Sequence, residues 1–376
     1  MTTTKPLRFL HTADWQLGLR VRYIPGDAGA EVRNARLRTV RRIREVVQEQ
    51  GAEFVIVAGD TFESHGLRPD TVRQALDAMQ EFPVPIYLLT GNHDPGTPDS
   101  LFQSPIWQRE CPPNVRLLVS TEPVQVRDDA WLLPCPVLDR NPLDDPTEHL
   151  GPGFGPTSGF RIGVAHGGIR EILEGLGEDE LESEATISRD TCARGALHYL
   201  ALGHWHGCHQ VDERTWYSGT PEATRFKEKV PGRVLLVELP APEAPPVVTP
   251  IEVQTLRWHK LEMELDDEAT LLGLEQRLEA FPDKKDTLLE LTLAGTLSPE
   301  LAARLETEVL TRARDRFRWL RVHDERLHVL LDEHALDDIG REGWIGDVVT
   351  ALQHDPAPES ARALRLLYRL SQEVQP

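Results

Sequence analysis

Five times between Leu7 and His206, a short apolar run breaks off into a turn that carries side chains able to hold a metal ion. The runs are Leu7–Leu10, Phe54–Ala58, Ile86–Leu89, Ile162–Ala165 and Tyr199–Leu202. The turns that follow hold Asp14-Trp15-Gln16, Gly59-Asp60, Gly91-Asn92-His93-Asp94, His166-Gly167 and Gly203-His204-Trp205-His206. Short continuous apolar runs bounded by turn residues read as buried strands. Ligands in α/β sheets bind beyond the carboxyl ends of the strands, so the pattern gathers all these side chains on one rim. Turns favour Gly, Asn and Asp on conformational grounds alone, but that preference does not supply the repeated histidines.

Helical patterns separate the early runs. Val40, Ile43, Val46 and Val47 form an apolar face between Arg33 and Gln50, and a second helix starts near Pro69 and Asp70. Alternating strands and helices predict a layered α/β sandwich over residues 1–238. Residues 239–254 include the proline-rich LPAPEAPPVVTP, which reads as a linker or an exposed edge. Residues 255–335 carry strands at His259–Leu265 and Leu288–Leu293, a helix between them at Glu268–Ala280, and a further helix at Pro299–Arg314. Strands at Trp319–Val322 and Leu327–Leu331 complete what reads as a small α+β cap domain. In residues 336–376 two amphipathic helices are expected, one through Ile345, Val348, Val349 and Leu352, the other through Ala363, Leu364, Leu366 and Leu367.

No stretch approaches the roughly 20 apolar residues of a membrane helix, and no basic-then-apolar leader opens the chain. The four cysteines are scattered without a C-x-x-C pair, which fits reduced thiols and a cytoplasmic setting better than a disulfide framework. Cys208 sits beside His206 and His209, but without a second nearby cysteine a zinc knuckle is not expected. A formal net charge of -20 argues against a broad nucleic-acid-binding face. A chain this acidic acts on DNA only through a local basic patch, bound metal or a partner.

Carboxylate, imidazole and carboxamide donors together suit manganese, iron or zinc. Two such cations can activate a water and neutralise a phosphodiester, and Asp60 is the natural shared carboxylate. A protonated histidine off the metal can then give its proton to the leaving oxygen; His93 is placed for this, with Asp94 available to orient it.

The ordered series of motifs resembles the calcineurin-like metallophosphoesterase superfamily. HTADWQLG at 11–18, GNHDPG at 91–96 and YSGTPEATRF at 217–226 resemble more narrowly the SbcD family, the nuclease subunits of bacterial SbcCD complexes. The resemblance implies a DNA exonuclease, with endonuclease nicking as a further option, in DNA repair or recombination. It also implies one metal held by Asp14, Asp60 and His206, with Gln16 where the family usually has histidine. A second would be held by Asp60, Asn92, His166 and His204, with His93 as the catalytic histidine. Manganese is the first expectation, with iron, zinc and magnesium as alternatives. Glu63 is another departure, since many nuclease relatives carry histidine there. The family's tail docks on the coiled-coil base of an SMC-family ATPase, the SbcC subunit, and relatives form homodimers.

Blander readings stand beside these. His11, His65, His198 and His209 are expected to be hydrogen-bonded or solvent-facing. Arg33, Arg36, Arg38, Arg41, Arg42 and Arg44 read first as a solvated helix face with ion pairs and second as a DNA-backbone contact. Lys227, Glu228 and Lys229 form a weaker charged patch, and the acidic stretch 174–184 a solvated one. The C-terminal helices pack on their own cap or dock on a partner. Two other functions remain open: a phosphoesterase for small substrates, and a scaffold that kept the fold with an impaired metal site, an option that Gln16 keeps alive.

Overall fold

The computed structural model describes residues 5–139, 144–172, 186–329 and 344–355, together with 357, 359, 360, 363, 364, 366, 367 and 370. Residues 174–184 and 330–343 lie outside them, as do parts of the last helix expected in the tail. The described chain divides into two compact units, Met1–Thr255 and Leu256–Pro376.

The first unit is built on two six-stranded sheets. Strands β1 (Leu7–Thr12), β2 (Val55–Val57), β3 (Ile86–Leu89) and β4 (Val115–Leu118) pair in parallel. The second sheet contains β5 (Val124–Arg127), β6 (Ala130–Cys135), β7 (Phe160–His166), β8 (Tyr199–Gly203), β9 (His209–Gln210) and β10 (Thr215–Tyr217). Its central strands β6, β7, β8 and β10 are likewise parallel. On the far side of β1, β11 (Arg233–Leu239) and β12 (Val247–Glu252) add antiparallel. The proline-rich stretch therefore holds an edge strand, with Pro250 opposite Leu235, and edges are where a sheet tolerates proline.

The apolar runs are continuous because both faces of these strands are buried, and successive side chains go to opposite cores. Phe9, Phe54, Ile56 and Leu89 meet Phe160, Ile162, Val164 and Tyr199 between the two sheets. Phe9 stacks on Phe54 with ring centroids 5.0 Å apart and meets Tyr199 edge-on at 5.7 Å. Leu10, Val55, Val57 and Leu88 face outward to α1 (Gly26–Gln50), α2 (Pro69–Gln80) and α3 (Pro105–Glu110). The helix α1 starts well before Arg33 because Gly26 and Gly29, which read locally as turn signals, lie within its first turns.

In the second unit, β13 (Arg257–Leu265), β14 (Thr287–Leu297) and β15 (Trp319–Val329) form a wholly parallel sheet. α4 (Glu268–Ala280) and the helical segment 299–316 pack on it through Leu271, Leu274, Leu305 and Leu310. Asp267 caps α4 in a capping box with Thr270. The two strands expected at 319–322 and 327–331 are one strand: polar 323–326 reads as a break, but the register merely shifts there. α5 (Trp344–His354) buries Val349 against Leu364, with Ala303 packed beside them, while Trp344 is 73% exposed.

Candidate metal centre

Each ligand-type residue sits within a few residues of a strand end, and several do so in strained backbone. Among the described residues seven non-glycine positions have positive φ, and four of them are Asp14 (54°), Gln16 (44°), Asp60 (52°) and His204 (103°). Asp tolerates the left-handed well; Gln and His do so at a cost of about 1–2 kcal/mol each. Backbone bonds hold the turns in place, from Asp14 N to Gly59 O (3.0 Å) and from Gln16 N to Asp60 O (3.0 Å). Two glycines permit the close approach. A Cβ on Gly59 would lie 2.1 Å from His166 Nδ1, and one on Gly91 would lie 2.1 Å from Asp60 Oδ1.

The side chains named from the sequence meet on this rim. Ligand-capable atoms of Asp14, Asp60 and His166, all buried, lie within 4.8 Å of one another. His166 Nε2 is 3.5 Å from Asp60 Oδ1 and 2.7 Å from Asn92 Oδ1. The His204 ring lies edge-on to His166 at 5.5 Å, and its backbone N–H donates to Asp14 Oδ2 at 3.1 Å. His206 Nε2 is 4.0 Å from Asp14 Oδ1.

The proton inventory shows what this arrangement lacks. His166 Nδ1 faces the Ala58 carbonyl at 2.8 Å and must donate to it. Burial pushes the His166 pKa down to about 4, so at neutral pH Nε2 carries a lone pair. That lone pair points at the oxygens of Asn92 and Asp60, which are acceptors too. Burial and the nearby Asp60 push the Asp14 carboxyl well above the ordinary range, and burial and Asp60 do the same to Asp94. A neutral imidazole whose lone pair faces two oxygens, beside buried carboxyls crowded closely enough to disfavour their charged forms, is what a divalent cation satisfies, so the residues fit such a group.

Two parts of the site differ from expectation. Asp94 does not orient His93. Its two oxygens accept the backbone N–H groups of Gly91 (2.9 Å) and Phe62 (3.0 Å), so it pins the loops instead. His93 is held by its own backbone N–H on Asp60 Oδ1 (2.9 Å) and by Nδ1 donating to the Glu63 carbonyl at 3.0 Å. Burial lowers the His93 pKa, but Asp60, the Glu63 carboxylate and the Glu63 carbonyl outweigh it and raise it above its ordinary value. Gln16 turns its amide nitrogen towards His206 Nε2 (3.1 Å), as a donor to imidazole.

Sequence reasoning misses Glu228, which reads there as one charge among its lysine neighbours. Its nearly buried carboxylate accepts from His206 Nδ1 at 2.6 Å and from the Thr224 backbone N–H at 2.8 Å. Burial pushes its carboxyl up, but the bonds from His206 and Thr224 outweigh this and hold it below the ordinary value. A buried carboxylate on the far nitrogen fixes which imidazole nitrogen faces the rim. Arg36 does not belong with the solvated run either: it is buried and donates to the carbonyls of Trp15 (3.0 Å) and Ala223 (3.0 Å), tying together two motif segments. The other histidines behave as expected where their bonds are seen. His11 bonds Tyr199 and Leu202, His65 accepts from Leu101 N, and His198 accepts from Arg161 N.

The profile of the family described as Calcineurin-like phosphoesterase matches residues 7–237. Among solved structures, TT1561 of Thermus thermophilus aligns over 66% of this chain and 99% of its own, at 10% identity and TM-score 0.38. GAP50, the anchor in the inner membrane complex of Plasmodium, aligns over 67% and 89%, at 11% identity and TM-score 0.35. A 5'-nucleotidase precursor, also from Thermus thermophilus, aligns over 66% and 55%, at 12% identity and TM-score 0.34. At these identities and scores the likenesses bear on no assignment of substrate.

Proposed function

Because the chain belongs to the calcineurin-like phosphoesterase family, we propose that it is a metal-dependent nuclease that hydrolyses phosphodiester bonds of DNA. The observation that carries the hydrolytic part is the convergence of Asp14, Asp60, Asn92 and His166, with the His166 Nε2 lone pair facing the oxygens of Asn92 and Asp60. Asp14, Asp60 and His206 would hold one cation, and Asp60, Asn92, His166 and His204 the second. When bound, the cations supply charge neutralisation for the ester and activation of the attacking water. Manganese is the first candidate.

The chain's own residues supply the proton. With Nδ1 fixed on the Glu63 carbonyl, His93 has Nε2 free beside the rim, 3.9 Å from Asp60 Oδ2. The surrounding carboxylates favour its protonated form. It can therefore hand a proton to the departing oxygen. The DNA part rests on the SbcD-like segments 11–18, 91–96 and 217–226, and in the structure the last of these is built into the site. Thr220 Oγ1 donates to the Asp14 carbonyl at 2.9 Å, and Arg36 reaches Ala223. In this reading the protein serves DNA repair in the cytoplasm, and its exposed tail face, including Trp344, docks on an SMC-family ATPase.

The test compares manganese-dependent cleavage of end-labelled duplex DNA with turnover of bis(p-nitrophenyl) phosphate, in wild type and His93→Ala. The variant should keep its metal content and lose roughly 10²–10⁴-fold in cleavage rate. Undiminished cleavage would remove His93 from this role. Turnover of the small ester without any cleavage of DNA would favour a small-substrate phosphoesterase. Fewer than one tightly bound ion per chain would favour a scaffold, the reading that the Gln16 amide orientation supports.

A further inference from the structure

A cleft of about 920 Å³ lies between α1 and α2, next to the turns that carry the metal rim. Its walls include Leu17, which follows Gln16, and Glu63, whose carbonyl holds His93. Further along, Arg20, Arg22, Arg33 and Arg68 line it. Of the arginine-rich run on α1, Arg33 alone reaches this cleft. Arg38, Arg42 and Arg44 are tied to Glu31, Glu49 and Glu81, and Arg36 is buried. Arg68 has Asp70 at 3.7 Å. Among the described residues no ion pair engages Arg20, Arg22 or Arg33, although the chain carries 61 acidic against 41 basic residues. Three uncompensated guanidinium groups in one polar cleft therefore run against the charge of the whole molecule. Two acidic residues, Glu63 and Asp70, line the same cleft, Asp70 beside Arg68, and among the described residues neither forms an ion pair with these three.

Resting on the nuclease reading above, we propose that this cleft is the track for the substrate strand. Arg20, Arg22 and Arg33 hold non-scissile phosphodiesters of a polynucleotide whose scissile phosphate lies over Asp14, Asp60 and His166. The guanidinium fork matches phosphate oxygens in pairs, and only a substrate with a phosphate at every residue can use several of them at once. A small ester ends at the rim and leaves the arginines empty. The cleft thus supplies the local basic surface that an acidic chain needs to hold DNA.

The test is an anisotropy titration of a fluorescein-labelled phosphorothioate oligonucleotide in Mn²⁺ over a series of salt concentrations. It compares wild type with the triple variants Arg20→Ala/Arg22→Ala/Arg33→Ala and Arg20→Lys/Arg22→Lys/Arg33→Lys. In the alanine triple, Kd should rise by about tenfold or more, and the slope of log Kd against log salt should fall by about 2–3. The lysine triple, which keeps the charge but not the fork, should restore the salt slope and recover part of the affinity. Equal Kd and slope in wild type and the alanine triple overturn the assignment. So does a lysine triple no better than the alanine one, or a wild type that does not bind. Cleavage of the unmodified strand is followed in parallel. A strand bound through the arginines but left intact sinks the nuclease reading alone, whereas a strand cleaved with arginine-independent binding sinks the cleft alone.

Discussion

Glu228 illustrates how far a single side chain can control the centre without touching a substrate. By accepting from Nδ1 it makes His206 present Nε2 towards Asp14, and the Thr224 backbone N–H and hydroxyl hold the carboxylate in turn. Partners of this kind are worth about 10–100-fold in metal affinity. Glu228→Gln should therefore weaken Mn²⁺ binding by about that factor in isothermal titration, while the melting temperature in EDTA moves little. Unchanged affinity would mean that the His206 ring needs no orienting partner. Gln16 is the complementary case. Its amide nitrogen satisfies the same Nε2 that a cation would use. A cation held there would compete with that amide for Nε2.

Between elements, the two sheets are joined by more than apolar contact. His11 on β1 sits in the inter-sheet core, with Nε2 donating to the Leu202 carbonyl of β8 at 3.1 Å and Nδ1 accepting from Tyr199 at 2.9 Å. Burial pushes its pKa down to about 3. In the unfolded chain the same ring titrates near 6.5, so between these values the unfolded state binds the extra proton. The stabilisation is complete above the unfolded value and is lost as pH falls towards the folded one. From pH 7 to pH 5 it should cost about 2 kcal/mol. His11→Gln, which can keep both bonds, should lose less stability over that interval by urea denaturation in EDTA; equal losses would show that His11 is not held neutral.

The strands and their metal-capable turns were legible because each run had a clear end and each turn had chemistry that local conformation does not demand. The start of α1, the continuity of β15 and the roles of Asp94, Arg36 and Glu228 were not. The last three depend on partners tens or hundreds of residues away, such as Glu228 on His206 and Arg36 on Ala223. Local spacing carries no trace of such pairings.

At the scale of the molecule, Met1–Thr255 and Leu256–Pro376 each enclose a core of their own. All the ligand-type residues lie in the first unit. Residues 1–255 expressed alone should fold cooperatively and bind as much metal per chain as the full protein, checked by calorimetry and elemental analysis. A molten or metal-poor fragment would make the second unit part of the centre's support. The backbone of the rim carries a further consequence. Asp14, Gln16, Asp60 and His204 are held where glycine would be at ease, so the chain would relax by giving up the very side chains that make it reactive. Selection for heat resistance alone should therefore erode these four positions first, and their survival in a hardened variant would itself report that the chemistry was still in use.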